Sequence, residues 1–422
     1  MTSANPPHPL AVRDEAEDHP RAVVLLLNVG HALDHLFLLI FATAVVVIAA
    51  EFGFSRWEDL MPYGVGAFFL FGLGSLPSGR LGDLWGRRPM MLVFFFGLGG
   101  AALLTALARG PWQLAAGLSL IGLFASIYHP VGIPMLVQRA KRPGAVIGVN
   151  GLAGNLGVAG AALLTGFLVR DWGWRAAFVA PALIAIGCGV AFSVLCGPQG
   201  PAPARKQKAP GAALPPDLLA RALIVMTAAA ITGSLLFNFT TNGNTQLLGE
   251  RFRGLIDDPG TIGALLAIVY TIASLAQVVV GRLIDRVSLK KLYLALVLAQ
   301  IPWLLLAAHT SGWWLFASLL GAMVCIFGAI PFTDAMIVRY VDDSVRSRVA
   351  GMRLTVSLGV SSLAVWLLGP VVKTASFATL FMGMAAIAAL TAAVVLLLPA
   401  IPSPSTTPRD PASSRGQTLR PK

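Results

Sequence analysis

The sequence predicts an all-α integral membrane protein, built from twelve transmembrane helices in two bundles of six. Of its 422 residues 56% are hydrophobic and only 12% are charged, whereas soluble domains carry roughly 25% charged residues. Twelve apolar runs are long enough to cross the hydrocarbon core, which takes about 20 residues. A charged loop follows the second run of each half, and such a repeat is typical of a duplicated membrane protein.

The twelve runs divide the chain into five predicted segments. The runs span residues 22–49, 61–80, 89–108, 112–137, 145–169, 175–196, 222–248, 260–281, 290–308, 313–338, 349–370 and 376–399. The segments are a cytoplasmic tail (1–21), a first bundle (22–196), a cytoplasmic linker (197–221), a second bundle (222–399) and a disordered tail (400–422). The linker and the last tail are assigned from their Pro-rich, polar composition.

The basic residues predict the topology. With both termini placed in the cytoplasm, the cytoplasmic side holds 24 Lys and Arg and the other side holds 7, which is the bias of the positive-inside rule. The net charge of +12 is therefore assigned to topology and not to nucleic-acid binding, because the basic residues stand singly between apolar runs. We expect a multi-pass protein of the bacterial cytoplasmic (inner) membrane, with a specialised internal membrane as the alternative.

The first predicted helix carries the polar residues Asn28, His31, Asp34 and His35. Spacings of three and four place them on one helical face. Ionisable groups inside a membrane are costly and usually line a cavity or an ion path. Asp34 lies one turn from either histidine, so we predict a proton-coupling site of Asp34, His31 and His35, with Asn28 in a substrate cavity.

The repeated loop is dense in charge and glycine. Its first copy contains Gly79, Asp83, Gly86, Arg87 and Arg88. Its second copy contains Gly281, Asp285 and Arg286, and then departs from the first, with Val287 and Ser288 in place of the later glycine.

The fourth and seventh predicted helices supply further candidates for a cavity. His129 stands beside Pro130 and either faces the cavity or satisfies a carbonyl that the proline frees. Asn238, Thr241 and Asn242 repeat the spacing of His31, Asp34 and His35, so we predict that they orient a substrate. The alternative for all of these residues is a structural polar seam between helices.

Two charged residues in the second half have two interpretations each. Asp334 follows Pro331 in the tenth predicted helix. It is either a charge in the substrate cavity, the interpretation we adopt, or the partner of a basic group near the cytoplasmic end. Arg353 opens the eleventh predicted helix and is either interfacial, as we expect, or substrate-binding.

At this point the chain resembles the major facilitator superfamily over nearly its whole length. The signature loop of that family, roughly G-x-L-a-D-r-x-G-r-r/k, is matched by Gly79, Leu81, Asp83, Gly86, Arg87 and Arg88. Gly30-His31 with Asp34, and Tyr128-His129-Pro130, resemble the branch that contains fosmidomycin-resistance-type efflux proteins. The arginine motif that many proton-coupled drug antiporters carry in helix 4 is absent from Gly122 to Pro134.

The resemblance implies a role for the loops. Asp83 would meet the start of helix 11, and Asp285 would meet the start of helix 5, because helix N-termini attract carboxylates. Together with the loop glycines and arginines and with Arg353, they would latch the two halves on the cytoplasmic side. The latch would favour the outward-facing state and break when that side opens. The alternative is a set of solvated topology charges.

The predicted function is secondary transport of a small organic solute by alternating access, as proton-coupled efflux (antiport). The alternatives are a proton symporter or facilitator for import and, from another class, a non-transporting scaffold or sensor. No enzyme is expected, because no helix offers a nucleophile or a metal set, and Cys188, Cys196 and Cys325 lack metal-ligand spacing. We expect no cofactor beyond the proton gradient, and a monomer whose partners are the lipid bilayer, a small-molecule substrate and protons.

Overall fold

The computed structural model describes residues 20–138, 140, 142–197, 215–341 and 346–399. Most of the predicted cytoplasmic tail, most of the linker and the whole predicted tail 400–422 therefore lie outside the described residues. Every regular element in the described part is helical, and twelve of the helices are long and apolar enough to cross a membrane. The predicted fold class of twelve transmembrane helices is thereby confirmed.

The helices are labelled in chain order and several are interrupted. Their bounds are α1 (Arg21–Glu51), α2 (Trp57–Trp85), α3 (Arg87–Ala106), α4 (Pro111–Gln138), α5 (Pro143–Trp172), α6 (Trp174–Leu195), α7 (Pro216–Arg251), α8 (Pro259–Ile284), α9 (Leu289–His309), α10 (Gly312–Tyr340), α11 (Arg346–Thr374) and α12 (Phe377–Val395). A 3₁₀ turn at Met61–Gly64 interrupts α2, a π-helical turn at Tyr128–Gly132 interrupts α4, and α10 breaks between Ala329 and Pro331.

Local sequence explains where the helices begin and turn. Proline occupies the first turn of α4, α5, α7 and α8, where its missing N–H costs nothing and its fixed φ suits a helix. Gly86 joins α2 to α3 with φ 94° and Gly173 joins α5 to α6 with φ 82°. Only glycine adopts such values without strain, so Gly86 of the repeated loop is required by the turn itself.

The second half repeats the helix packing of the first half. In the first half α1 packs on α5, α2 on α4 and α3 on α6, and in the second half α7 packs on α11, α8 on α10 and α9 on α12. The halves meet through two equivalent pairs, α2 with α11 and α5 with α8. Large apolar side chains such as Leu183, Leu275 and Leu390 remain exposed, as a surface that faces lipid requires.

The halves touch at one end of the molecule, where the loops after α1, α5, α7 and α11 lie. We call this end the closed end. A β-carbon at Gly263 of α8 would meet the carbonyl oxygen of Ala162 in α5, and one at Gly369 of α11 would meet the carbonyl oxygen of Glu58 in α2. Gln246 of α7 donates to the carbonyl oxygen of Ala42 in α1.

Two ion pairs also join the halves at the closed end. Lys373 pairs with Asp59, and Arg170 Nη1 lies 3.6 Å from Asp258 Oδ2. Asp258 caps α8 by accepting from Thr261 N at 2.7 Å. The hydrogen bonds from Thr261, together with the Arg170 guanidinium, hold the pKa of Asp258 below its usual range, so this carboxylate is charged at neutral pH.

The opposite end, which we call the signature end, carries the loops after α2 and α8. In the described part of the chain, no hydrogen bond or ion pair joins the halves at this end. The nearest such bond towards it joins Asn155 of α5 to Gln277 of α8, about three turns into the bundle. In the described part of the chain, the hydrogen bonds and ion pairs between the halves therefore lie at the closed end and in the middle of the bundle.

Candidate functional site

Four titratable side chains form a cluster inside the first half. His31, Asp34 and His35 come from α1, and His129 comes from the π-helical turn of α4. The nitrogen and oxygen atoms they offer all lie within 4.8 Å of one another. His129 Nε2 lies 3.5 Å from Asp34 Oδ2, and His35 Nε2 lies 3.2 Å from His31 Nε2. We call these four residues the histidine cluster.

His31 is held in one orientation by α5 and α4. Its Nδ1 lies 2.7 Å from the backbone carbonyl oxygen of Asn150, and a carbonyl only accepts, so Nδ1 carries the hydrogen. The neutral ring then presents a lone pair at Nε2, towards His35. The ring of Tyr128 stacks on His31 with 4.7 Å between centroids, and the side chain of His31 would clash with a β-carbon at Gly154.

A buried hydrogen-bond network supports this arrangement. The Tyr128 hydroxyl donates to the carbonyl oxygen of Leu27 at 2.6 Å and accepts from Asn150 Nδ2 at 2.7 Å. Asn150 Nδ2 also lies 3.1 Å from Asn28 Oδ1, and Asn28 Nδ2 donates to the carbonyl oxygen of Val24 at 2.9 Å. Asn28, predicted to line the cavity, thus contacts α5 through this network.

Asp34 is the unusual member of the histidine cluster. It is completely buried, and neither carboxylate oxygen accepts a hydrogen bond from any described group. The sequence placed it one turn from His31 or His35, but its closest basic group is His129 on another helix. A buried carboxylate without a partner is costly unless a cation or a proton joins it.

The π-helical turn brings His129 to the histidine cluster. Pro130 has no N–H, so the helix cannot make its regular bond there, and the backbone widens at Tyr128–Gly132. Such turns are frequent at functional sites. The sequence offered two interpretations of His129, a side chain that faces the cavity or one that satisfies a freed carbonyl. In the structure His129 contacts Asp34 and makes no hydrogen bond to a described carbonyl. Its side chain is 18% exposed, so it is the opening of the cluster to solvent.

The predicted polar residues of α7 divide between two arrangements. Asn238 Nδ2 donates to Ser361 Oγ of α11 at 2.9 Å and joins two helices of the second half. Thr241 Oγ1 donates to the carbonyl oxygen of Phe237 at 2.7 Å within its own helix. Asn242 Nδ2 donates to the carbonyl oxygen of Asn238 at 3.0 Å, while its own Oδ1 has no described donor.

Asn244 and Gln246 follow on α7, and each also leaves its side-chain oxygen without a described donor. Gln246 lies one turn beyond Asn242 on the same face, whereas Asn244 turns into the second half, where its Nδ2 donates to the Tyr270 hydroxyl at 3.2 Å. Buried amide oxygens that lack a donor are uncommon in proteins. The sequence analysis did not select Asn244 or Gln246, although both belong to the polar stretch that follows Asn242 in the sequence.

Asp334 and Arg353 form an ion pair at 2.7 Å between Oδ1 and Nη2. Arg353 Nη1 also donates to Thr333 Oγ1 at 3.1 Å. The side chain of Asp334 is 63% exposed and that of Arg353 is 22% exposed. Asp334 therefore has a basic partner, as one interpretation required, and remains open to solvent, as the other required.

Among the described residues, the predicted latch side chains form no hydrogen bond or ion pair between the halves. Asp83, Asp285 and Arg286 are exposed, and their side chains form no hydrogen bond or ion pair with the described part of the chain. Gly281 has open space around it, whereas a β-carbon at Gly79 would touch Pro130. The side chains of Arg346 and Arg348 lie outside what the structure describes.

The two loop arginines instead brace the first half. Arg87 Nη1 donates to Gln138 Oε1 at 2.6 Å. Arg88 Nη2 donates to the carbonyl oxygen of Ser193 at 2.8 Å, and its Nε donates to that of Cys196. A latch at the signature end was predicted only for the state in which that end is closed, so it stays a prediction.

Comparison with known proteins adds a family and a fold. The sequence model of the Major Facilitator Superfamily matches residues 27–255 and 255–421. The chain is similar to the probable actinorhodin transporter of Streptomyces coelicolor, with 35% identity over 150 residues, which cover 33% of this chain and 25% of that protein. It is 34% identical to the puromycin resistance protein pur8 of Streptomyces alboniger over 127 residues, 28% of this chain and 25% of that protein.

These matches span only about a quarter of each relative. Among solved structures, the inward open conformation of the xylose transporter XylE from E. coli superposes with a TM-score of 0.73 at 12% identity. The superposition covers 92% of this chain and 97% of that one, and it describes the fold alone.

Proposed function

The chain belongs to the Major Facilitator Superfamily, and from that premise we propose that it exports a small organic compound in exchange for protons. It is a multi-pass membrane transporter of a bacterial family type and not an enzyme. The coupling ion, the direction and the class of solute are the proposal. We place the protein in the cytoplasmic membrane, with the signature end towards the cytoplasm, because the bias of 24 to 7 basic residues favours that orientation.

The observation that carries proton coupling is the buried Asp34 carboxyl without a hydrogen bond. Three imidazoles stand around it, and an imidazole nitrogen can accept or donate a proton. His129 and His35 are only half-buried, which gives the histidine cluster a route to the space between the halves. A proton that enters there can bind the Asp34 carboxylate, which is buried and accepts no hydrogen bond from the described residues.

Solute binding is assigned to the space between the halves. The side-chain oxygens of Asn242 and Gln246, one turn apart on α7, are uncharged and lack a donor in the described part of the chain, which suits a ligand with hydrogen-bond donors. Asp334 adds an exposed charge in the same half. Efflux is favoured by the names of the two relatives, one a probable transporter of actinorhodin and one a resistance protein for puromycin.

The conformation described here fits one stage of such a cycle. Ion pairs join the described halves at the closed end, which supports a state in which the space between the halves opens towards the proposed cytoplasmic side. The return to the other state would separate the Asp59–Lys373 and Arg170–Asp258 pairs. It would bring Asp83 and Asp285 to the opposite half, where the latch would form.

The test uses proteoliposomes that contain a pH-sensitive dye, with a panel of small organic anions, cations and antibiotics as solutes. An exchanger takes up solute when the vesicle interior is acidic, and a symporter does so when the exterior is acidic, whichever way the protein is inserted. We expect uptake with an acidic interior and proton movement that depends on solute. Asp34→Asn is expected to abolish both.

Asp217→Asn is the matched control, because Asp217 is an exposed carboxylate at the start of α7. It should leave coupling intact. Solute flux without proton movement that survives Asp34→Asn would make the protein a facilitator or a carrier coupled to another ion. Uptake with an acidic exterior would make it a symporter.

A further inference from the structure

The histidine cluster contains the donor set of a metal site. Three imidazole nitrogens and one carboxylate oxygen lie within 4.8 Å of one another. Imidazole is a preferred ligand of Zn²⁺, Ni²⁺, Co²⁺ and Cu²⁺, whereas Mg²⁺ and Ca²⁺ prefer oxygen ligands alone. The set of ligands therefore points to a transition-metal ion.

The distances suit a four-coordinate ion. Zn²⁺ binds imidazole nitrogen at about 2.0–2.1 Å, so the edges of a regular tetrahedron of such ligands are about 3.3–3.4 Å long. Two separations across the cluster are 3.2 Å, between His31 Nε2 and His35 Nε2, and 3.5 Å, between His129 Nε2 and Asp34 Oδ2. The widest separation, 4.8 Å, requires a side-chain shift of about 1–2 Å to reach this edge length.

The surroundings of His31 are those of a metal ligand. Metal-binding histidines almost always donate the hydrogen of their other ring nitrogen to a carbonyl or carboxylate, which fixes the ring. His31 Nδ1 has that partner in the carbonyl oxygen of Asn150 at 2.7 Å. Its Nε2 lone pair then accepts from His35, and a metal ion would take the place of that shared proton.

Asp34 supplies an independent indication. Its side chain is 0% exposed, and both of its oxygens lack a hydrogen-bond donor in the described part of the chain. A carboxylate that only packs between helices would be expected to have donors around it. A cation at the centre of the cluster would neutralise it and tie α1 to the π-helical turn of α4.

We propose that His31, Asp34, His35 and His129 bind one divalent transition-metal ion between α1 and α4. The site stands on ligand geometry and does not depend on the proposed solute or on its direction of transport. Access is through the half-buried rings of His35 and His129.

The test is a titration of the purified, tag-free full-length chain in detergent with Zn²⁺ alone, in competition with a colorimetric chelator. We expect one ion per chain, with His129→Gln and His35→Gln each weakening its affinity more than about tenfold. The sequence has six histidines, so the matched control replaces the other three, His8, His19 and His309, by glutamine. This control should bind as the wild type does.

Co²⁺ provides a second readout, because its visible absorption reports four-coordinate geometry. The wild type should give the tetrahedral spectrum and either cluster variant should lose it, while size-exclusion profiles report whether each variant is folded. A folded wild type that binds no Zn²⁺ overturns the proposal, and so do cluster variants that bind as tightly as the wild type.

The Zn²⁺ titration and the transport assay test the two proposals separately. A chain that exchanges protons in vesicles but binds no Zn²⁺ overturns the metal site alone. Because both proposals use Asp34 and the histidines, the transport assay contains a chelator, and a chain that binds Zn²⁺ but moves no protons when freed of metal overturns the proposed coupling alone.

Discussion

At the scale of single residues, Tyr128 connects three helices around His31. It is fully buried, its hydroxyl donates to the carbonyl oxygen of Leu27 in α1, and it accepts from Asn150 in α5. Its ring stacks on His31. The hydroxyl therefore fixes where the backbone of α5, and with it the partner of His31, lies relative to the histidine cluster.

Tyr128→Phe is expected to lower stability while the stacked ring is kept. The change removes one hydrogen-bond partner from the Leu27 carbonyl oxygen and one from Asn150 Nδ2. Each such hydrogen bond contributes about 0.5–1.5 kcal/mol to protein stability, and membrane proteins lie towards the lower value. The measurement is the Tm of the purified protein in detergent. Tyr63→Phe is the control, because Tyr63 is half-buried and makes no described hydrogen bond. Equal Tm values for the two variants would contradict the role of the hydroxyl.

The limits of prediction are clearest at Asp34. Its spacing from His31 and His35 predicted a shared helical face, and all three residues do belong to one cluster. Spacing along one helix cannot predict that α5 turns His31 towards a carbonyl of Asn150 or that α4 brings His129 against Asp34. Both partners lie about a hundred residues away, and contacts at that separation depend on packing between helices.

At the scale of elements, glycine lets α5 approach helices of both halves. A β-carbon at Gly157 would meet the carbonyl oxygen of Ala32 in α1, and one at Gly166 would meet that of Pro259 at the start of α8. Likewise, a β-carbon at Gly263 of α8 would meet the carbonyl oxygen of Ala162 in α5. Small residues at such positions let membrane helices pack backbone to backbone, so α5 belongs to the rigid packing of one half and to the interface between the halves.

Gly263→Ala is expected to shift the population away from the conformation described here. The added methyl group cannot fit between α8 and the backbone of α5, so the closed end should open more often. Electron spin labels at Trp172→Cys and Leu255→Cys, both exposed at that end, would report the distance after the three native cysteines are replaced. Gly383→Ala, at a position with open space, is the control and should leave the distance distribution unchanged.

Hydropathy predicted the existence of every helix but shortened some of them. The second helix begins at Trp57 and the seventh at Pro216, earlier than the predicted residues 61 and 222. Their first turns contain Glu58, Asp59 and Asp217, which lower the local hydropathy although acidic residues suit a helix N-terminus. The π-helical turn was visible only as a kink signal at Pro130.

At the scale of the whole molecule, two ion pairs oppose the separation of the halves at the closed end. Lys373 of α11 reaches Asp59 of α2, and Arg170 of α5 reaches Asp258 before α8. The two pairs lie at equivalent places of the duplicated fold, since α2 with α11 and α5 with α8 are the matching interfaces. Duplication has thus supplied a charge pair to each interface.

Lys373→Asp is expected to open the closed end, because it places two carboxylates against each other. Adding Asp59→Lys restores opposite charges and should return the spin-label distances between residues 172 and 255 to those of the wild type. The double variant is its own matched control, since it contains both substitutions. An unchanged distance in Lys373→Asp would mean that the apolar contacts alone hold this end.

Duplication and topology could be predicted from the chain, whereas the conformation could not. The repeated loop predicted two related halves, and the charge bias predicted an orientation for them. Which end is closed depends on a free-energy difference of a few kcal/mol between two states of the same sequence. Contacts such as Asp59 with Lys373, 314 residues apart, have no signature in hydropathy or spacing.

The ion pairs of the closed end lie at the surface, with their side chains 36–40% exposed. Dissolved salt screens exposed charges with a Debye length of about 8 Å at physiological ionic strength, and this length shortens as the salt concentration rises. The glycine contacts between α5 and α8 carry no charge and are insensitive to salt. In the orientation proposed here, these pairs face the surroundings of the cell. Salt outside the cell would then weaken these pairs and favour opening of the closed end, while the glycine contacts would be the same in a saline habitat and in fresh water.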